Sequence, residues 1–280
     1  MNNQKVWVVT GASKGLGLSL VKQLLRSGYS VAATSRSIRD LTAAVGTDAT
    51  DRFLPLAVSL TTESSVKEAI DATIAKFGRV DVVVNNAGYG LTGAIEELSD
   101  AEARANFDIN VFGSLNVIRA AMPHLRAQGS GHILNISSVG GFTGNFPGFG
   151  IYCATKFAVQ GFTESLAAEA SAFGIHATVV YPGYFRTSFL TPDSLRTPQH
   201  EIAEYRTVRE VQSAHQHDIN GNQAGDPDKA SLAMIKVTED SNPPIHFFLG
   251  QDAYDMALSK MAAVKGQLEA WKETAIRTGY

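Results

Sequence analysis

Short runs of apolar residues, many of them β-branched, recur along this sequence, and most are followed by a longer stretch in which apolar residues return every three or four positions. Residues 80–84 are the plainest run: with too few polar positions for a solvated face, they read as a strand covered on both sides. Residues 64–77 are the plainest helix, because Val66, Ala69, Ile70, Thr73, Ile74 and Phe77 fall on one stripe. The same reading makes strands of residues 6–9, 31–34, 53–60, 132–136, 177–181 and 245–249. It makes helices of residues 16–27, 101–125, 152–173, 227–237 and 252–277. Parallel strands need crossovers, and right-handed crossovers on both sides produce a doubly wound sheet. The expected fold class is α/β, a seven-stranded parallel sheet flanked by helices on both faces.

No composition break separates two cores and no repeat of about 20–50 residues occurs, so residues 1–280 read as one domain. The exception is 185–225, which is polar and without a strand, with a helix at most over 201–217. Loops this long are functional lids or disordered segments, and a substrate lid is the expectation. The net charge of −3 and the lack of a basic stripe argue against nucleic acid as a partner. Cys153 is the one cysteine, so no intrachain disulfide can form, in keeping with a reducing compartment. Residues 1–5 carry no charged-then-apolar leader and no stretch is apolar enough to span a bilayer, which makes cytoplasmic the expected location.

Between the first strand and the first helix stands Thr10-Gly11-Ala12-Ser13-Lys14-Gly15-Leu16-Gly17. Glycines there permit a tight turn and a close approach of backbone to a pyrophosphate, and the helix N-terminus beyond offers unpaired N–H groups. The spacing Gly-x3-Gly-x-Gly resembles the short-chain dehydrogenase/reductase family. Further segments match that family in order: Asn85-Asn86-Ala87-Gly88, Ser137-Ser138, Tyr152-Cys153-Ala154-Thr155-Lys156 and Pro182-Gly183. The resemblance implies a Rossmann fold and an enzyme acting on CH–OH and C=O groups with a nicotinamide cofactor. It implies cofactor contacts from Gly11, Ser13, Lys14, Gly15, Leu16, Gly17, Val58, Asn86, Ala87 and Gly88, and later from Tyr152, Lys156, Pro182, Gly183, Phe185 and Thr187.

The second strand ends in Thr34-Ser35-Arg36-Ser37, where a protein preferring NAD usually places an acidic residue on the ribose hydroxyls. Arg36 is permanently charged and its fork suits a phosphate. Ser35 can add a hydrogen bond, and the resemblance puts Lys14 near the same ribose. NADP(H) is therefore the expected cofactor. Where the family commonly has an Asp facing the adenine, this chain has Ala57 before Val58, so that contact falls to backbone or to Ser59.

Tyr152 and Lys156 are four apart on a helix and share a face. A phenol with a pKa of about 10 is a poor acid–base group at neutral pH unless a nearby positive charge favours the phenolate. The resemblance assigns Tyr152 the proton of the carbonyl oxygen, Ser138 a hydrogen bond to that oxygen, and Lys156 the nicotinamide ribose. It makes Asn110 the residue that bends its helix behind the lysine, though a mid-helix asparagine also fits a solvated position. Ser137 is the alternative serine; the run Ser-Val-Gly-Gly favours Ser138.

Neither a His-Glu-x-x-His motif nor a cysteine set is present, so no metal is expected, and His215 and His217 read as loop residues. Cys153, Trp7 and Trp271 read as packing residues, and Asp71 as part of a solvated face. A regulatory protein holding NADPH without turnover would show an altered Tyr or Lys, and both are intact. A sugar-nucleotide epimerase or dehydratase would show Gly-x-x-Gly-x-x-Gly, which is missing. Tyr89, Leu91, Ile95, Phe142, Phe146 and Phe149 should line the pocket, which suits a lipophilic ketone or aldehyde and its alcohol. The segments resemble the hydroxysteroid, retinol dehydrogenase and carbonyl reductase branch. Apolar residues on several sides of helices 101–125 and 152–173 point to a homodimer or homotetramer.

Overall fold

Val6–Val9 (β1) leads into Gly15–Arg26 (α1), Ser30–Ser35 (β2), Ile38–Val45 (α2), Phe53–Ala57 (β3), Glu63–Phe77 (α3), Val82–Asn85 (β4) and Gly90–Leu91 (β5). Asp100–Phe107 (α4), Gly113–Gln128 (α5), Gly131–Ile136 (β6), Gly150–Ala170 (α6), Ile175–Pro182 (β7) and Leu195–Arg196 (β8) follow. Arg206–Ser213 (α7), Pro227–Glu239 (α8), His246–Leu249 (β9) and Gln251–Ile276 (α9) complete the chain. The computed structural model describes residues 5–280, and the leader-free reading of residues 1–4 lies outside them.

Seven strands make one parallel sheet in the order β3-β2-β1-β4-β6-β7-β9. Side chains alternate across it. Trp7, Val9, Val31, Ala33 and Val84 meet α1 and α8 through Leu20, Leu24, Ala230 and Met234 on one face. Val8, Ala32, Val83 and Ile133 meet α3, α5 and α6 through Val66, Ile70, Val117, Leu125 and Leu166 on the other. Both faces are covered, which is why β1 and β4 are apolar without interruption.

Several expectations need correction. The helix read over 101–125 is α4, a π-helical turn at Asp108–Phe112, and α5. The strand read over 53–60 stops at Ala57. The segment 185–225 does contain a strand: β8 pairs with β5, joining the segment to the loop after β4. Its helix starts at Arg206, not 201, because the Ile202 N–H and the Tyr205 hydroxyl are taken by Glu97 and Glu96. Short helix α2 was not anticipated; Leu41 is its one buried residue, too little for a stripe. Trp7 is fully buried, but Trp271 is exposed on α9, beside exposed Leu268. Among the described residues no helix is long and apolar enough to cross a membrane.

Candidate active site

β1, β4, β6 and β7 end at one edge of the sheet, and strand order reverses between β1 and β4, where open α/β sheets leave a crevice. A cavity of about 780 Å³ follows that edge.

One end of the cavity is the loop between β1 and α1. Gly11 and Gly15 have φ of 64° and 60°, the left-handed region that glycine tolerates. A Cβ on Gly11 would come 2.7 Å from the Ala87 Cα, so glycine alone lets these loops touch. Thr10 Oγ1 accepts from the N–H groups of Asn86 and Ala87, each at 3.0 Å. Asn86 Nδ2 donates back to the Thr10 and Gly11 carbonyls at 2.9 and 3.1 Å. No side chain caps α1 and its first turn holds no acidic residue, leaving positive N–H groups free at its start. Ser13, Lys14, Gly15 and Leu16 line the cavity, as do Asn86, Ala87 and Gly88. Gly17 does not; it packs against Asn86 and the Gly11 carbonyl.

Ser35, Arg36, Ala57, Val58 and Ser59 form the next wall, which contains no carboxylate. The nearby Asp40 pairs with Arg39 at 3.6 Å. Lys14 lines the same cavity. Its Nζ donates to the Asp193 carbonyl at 3.1 Å, bridging the glycine loop to the 185–225 segment.

At the other end, Tyr152 and Lys156 occupy the first turns of α6 and are both buried. Lys156 Nζ donates to the Ile136 carbonyl at 2.9 Å and stands 5.7 Å from the centre of the Tyr152 ring. Ser138 follows β6 in extended conformation, fixed by the Gly140 N–H on its Oγ at 3.1 Å, and lines the cavity with Tyr152. Ser137 is committed elsewhere: its Oγ donates to the Lys156 carbonyl at 2.9 Å. Burial raises the Tyr152 pKa, and the neighbouring Ser138 hydroxyl opposes the rise. The expected lowering by Lys156 is not what dominates, since burial also pushes Lys156 down to about 8. Burial likewise raises Cys153 to about 11, keeping it an inert packed thiol.

Asn110 does not line the cavity. It sits in the π-helical turn, where Oδ1 accepts from the Tyr89 N–H at 3.0 Å. Its Nδ2 donates to the Tyr89 carbonyl at 3.0 Å and to Thr155 Oγ1 at 3.1 Å. Gly88 lies between Asn110 and Lys156: a Cβ there would be 2.9 Å from Asn110 Oδ1 and 3.6 Å from Lys156 Nζ.

Pro182, Gly183, Phe185 and Thr187 form the floor. The Gly183 N–H donates to the Leu249 carbonyl at 2.9 Å, and the Tyr184 N–H to Asp252 Oδ2 at 2.6 Å. Thr187 Oγ1 accepts from the Phe189 N–H at 3.3 Å, which leaves the hydroxyl proton for a ligand.

Of the expected apolar lining, Tyr89, Phe146 and Phe149 are present. Leu91 is buried elsewhere, Ile95 is 73% exposed, and Phe142 packs on Tyr181 and Phe248. The lid from Tyr184 was expected to line the pocket as a segment; Tyr184 does, together with Phe189, Asp193, Arg196, His215 and Gln223, which sequence reasoning did not single out. The Arg196 guanidinium stacks 4.6 Å from the Tyr89 ring centre, so the wall does carry charge. Among the described residues no group of three or more His, Cys, Asp or Glu could hold a metal ion.

The family model for short chain dehydrogenases matches residues 5–196. The chain belongs to the short-chain dehydrogenase/reductase family. This dehydrogenase is 35% identical over 273 residues to oxidoreductase BOA17 of Botryotinia fuckeliana, covering 97% of this chain and 98% of that one. It is 34% identical over 248 residues to the 3-ketodihydrosphingosine reductase of Bacteroides thetaiotaomicron, covering 88% of each. Among solved structures, a short-chain dehydrogenase from Streptomyces avermitilis superposes with a TM-score of 0.88 at 34% identity. That match covers 98% of this chain and all of the other. This dehydrogenase is therefore an oxidoreductase of the short-chain type. Its cavity fits a nicotinamide dinucleotide: a glycine loop closed against the next loop, an uncapped helix start for the pyrophosphate, and buried hydroxyl and amine groups at the far end.

Proposed function

We propose that this oxidoreductase uses NADP(H) to interconvert a lipophilic ketone or aldehyde and its alcohol. The observation that carries the reading is the convergence of Ser138, Tyr152 and buried Lys156 in the same cavity as the glycine loop and Arg36. The loop residues 11–17 and the start of α1 would hold the pyrophosphate, Arg36 with Ser35 the 2′-phosphate, and Val58 the adenine side. Asn86, Ala87, Gly88, Pro182, Gly183, Phe185 and Thr187 would wall the nicotinamide half. The nicotinamide supplies or accepts the hydride.

Tyr152 Oη gives its proton to the carbonyl oxygen in reduction and takes it back in oxidation. Ser138 Oγ holds the same oxygen, a donor aimed at the charge that develops there. Lys156, kept buried and donating to Ile136, contributes positive charge and ribose contacts. Asn110 is a positioning residue: it clamps Tyr89 and Thr155 and so fixes the turn behind the lysine. Residues 185–225 serve as the lid of a single catalytic domain, and the protein works in the cytoplasm.

Tyr152→Phe removes one proton donor and leaves the ring. We expect NADPH binding to persist while turnover of a good carbonyl substrate falls by about 10²–10⁴. Near-full activity in that variant would show that Tyr152 does not carry the proton.

A further inference from the structure

Two of the pocket residues that sequence reasoning missed, His215 and Gln223, stand in the polar segment 185–225, yet both are buried and line the cavity together with Tyr184. His215 Nδ1 lies 2.7 Å from the Val211 carbonyl. A carbonyl only accepts, so Nδ1 carries the proton and Nε2 of the neutral ring is an acceptor. Tyr184 Oη, 2.8 Å from Nε2, must then donate to it. What Tyr184 has left for a ligand is an acceptor.

Gln223 supplies the complement. It is 3% exposed, and its Oε1 accepts from the Gly221 N–H at 2.9 Å, which fixes the orientation of the amide. Its Nε2 is buried with no hydrogen-bond partner in the protein. Native interiors seldom leave such a donor unpaired, and because Gln223 stands at the cavity wall, a side-chain rotation would present this donor to a ligand. The Gly225 N–H donates to the Tyr184 carbonyl at 3.0 Å, tying the two segments together two residues from Gln223. The His215 ring packs 4.8 Å from Phe149, whose ring is 6.2 Å from that of Tyr152, so this group stands one ring away from the reacting end.

We infer that Tyr184, His215 and Gln223 form a second polar subsite, which takes a hydroxyl group of the substrate distinct from the reacting carbonyl. A hydroxyl donates to Tyr184 Oη and accepts from Gln223 Nε2. A carboxylate would face the Tyr184 lone pairs, an ammonium would leave Gln223 unpaired, and an alkyl group would satisfy neither. The substrate class is thus a lipophilic hydroxy-ketone, or the matching diol. This rests on the reading of Tyr152 as the group that protonates the carbonyl.

The test uses 2-decanone and a set of hydroxy-2-decanones with the hydroxyl moved along the chain. Reduction by NADPH and calorimetric binding to the intact protein are both measured. At one hydroxyl position we expect kcat/KM and affinity about tenfold above the parent ketone, as two neutral hydrogen bonds would give. Gln223→Leu and Tyr184→Phe should each bring the hydroxy-to-parent ratio close to one, whereas a general defect would lower both compounds and leave the ratio intact. No preference at any position, or a ratio that survives both substitutions, overturns the subsite. A binding preference without turnover would leave the subsite standing and overturn the proposed reaction instead.

Discussion

Arg36 follows β2 in a wall without carboxylates, and at this one residue the choice between the two nicotinamide cofactors is concentrated. A hydrogen bond to a charged group contributes roughly 1.5–3 kcal/mol. Arg36→Ala should therefore lower NADPH affinity by about tenfold to a hundredfold and leave NADH nearly unaffected. Ser35→Asp should go further, because its carboxylate would repel the phosphate and bind the ribose hydroxyls. The measurement is kcat/KM for both cofactors in the wild type and both variants. A wild type that prefers NADH, or equal loss of both cofactors in Arg36→Ala, would reject the assignment. Tyr152, Lys156 and the glycine loop were legible in the sequence because their geometry is local: a helix turn or one βα loop sets it. His215 and Gln223 were not, because a polar residue carries no period and only the folding of 185–225 over the sheet brings them to the cavity.

Elements were legible to the extent that they bury a stripe. α3, α6 and α8 do, and their spans came out within a few residues. α2 buries little, and the π-helical turn at Asp108–Phe112 still buries Val111, so the helical pattern ran on across it. Strand β6 carries a prediction of its own through His132. Thr178 Oγ1 spends its proton on the Pro244 carbonyl at 2.7 Å, so His132 Nε2, at 2.9 Å, donates to Thr178. Burial first, then His176 and Lys5, push the His132 pKa down to about 3. The unfolded value is about 6.5. Between these values the unfolded chain binds the extra proton, so stability is lost as pH falls below about 6.5. From pH 7 to pH 5 this one group should cost about 2 kcal/mol. His132→Asn keeps a donor for Thr178 without titrating, and its urea midpoint should fall less over that range. Equal declines would refute this account of His132.

For the whole molecule, the seven-stranded parallel sheet and its two covered faces followed from the alternation of elements and the crossover rules, whereas the polar stretch 185–225 proved to be built into the site by β8 and the Lys14–Asp193 contact. Phe112 just before α5, Phe157 within α6 and Phe173 just after it are exposed. We predict a dimer or tetramer in which a two-fold axis relates these helices. Light scattering at micromolar concentration should give a multiple of the chain mass, and a monomer would count against it. The parallel topology also has a consequence in time. Ser19 of α1 bonds to Asp228, and the Tyr184 N–H under the cavity bonds to Asp252. During synthesis the glycine loop is made well before the floor opposite it is secured, because that floor waits for residues made more than two hundred positions later. Contacts so distant in sequence form slowly, and a nascent chain carries a half-built cavity until α9 begins.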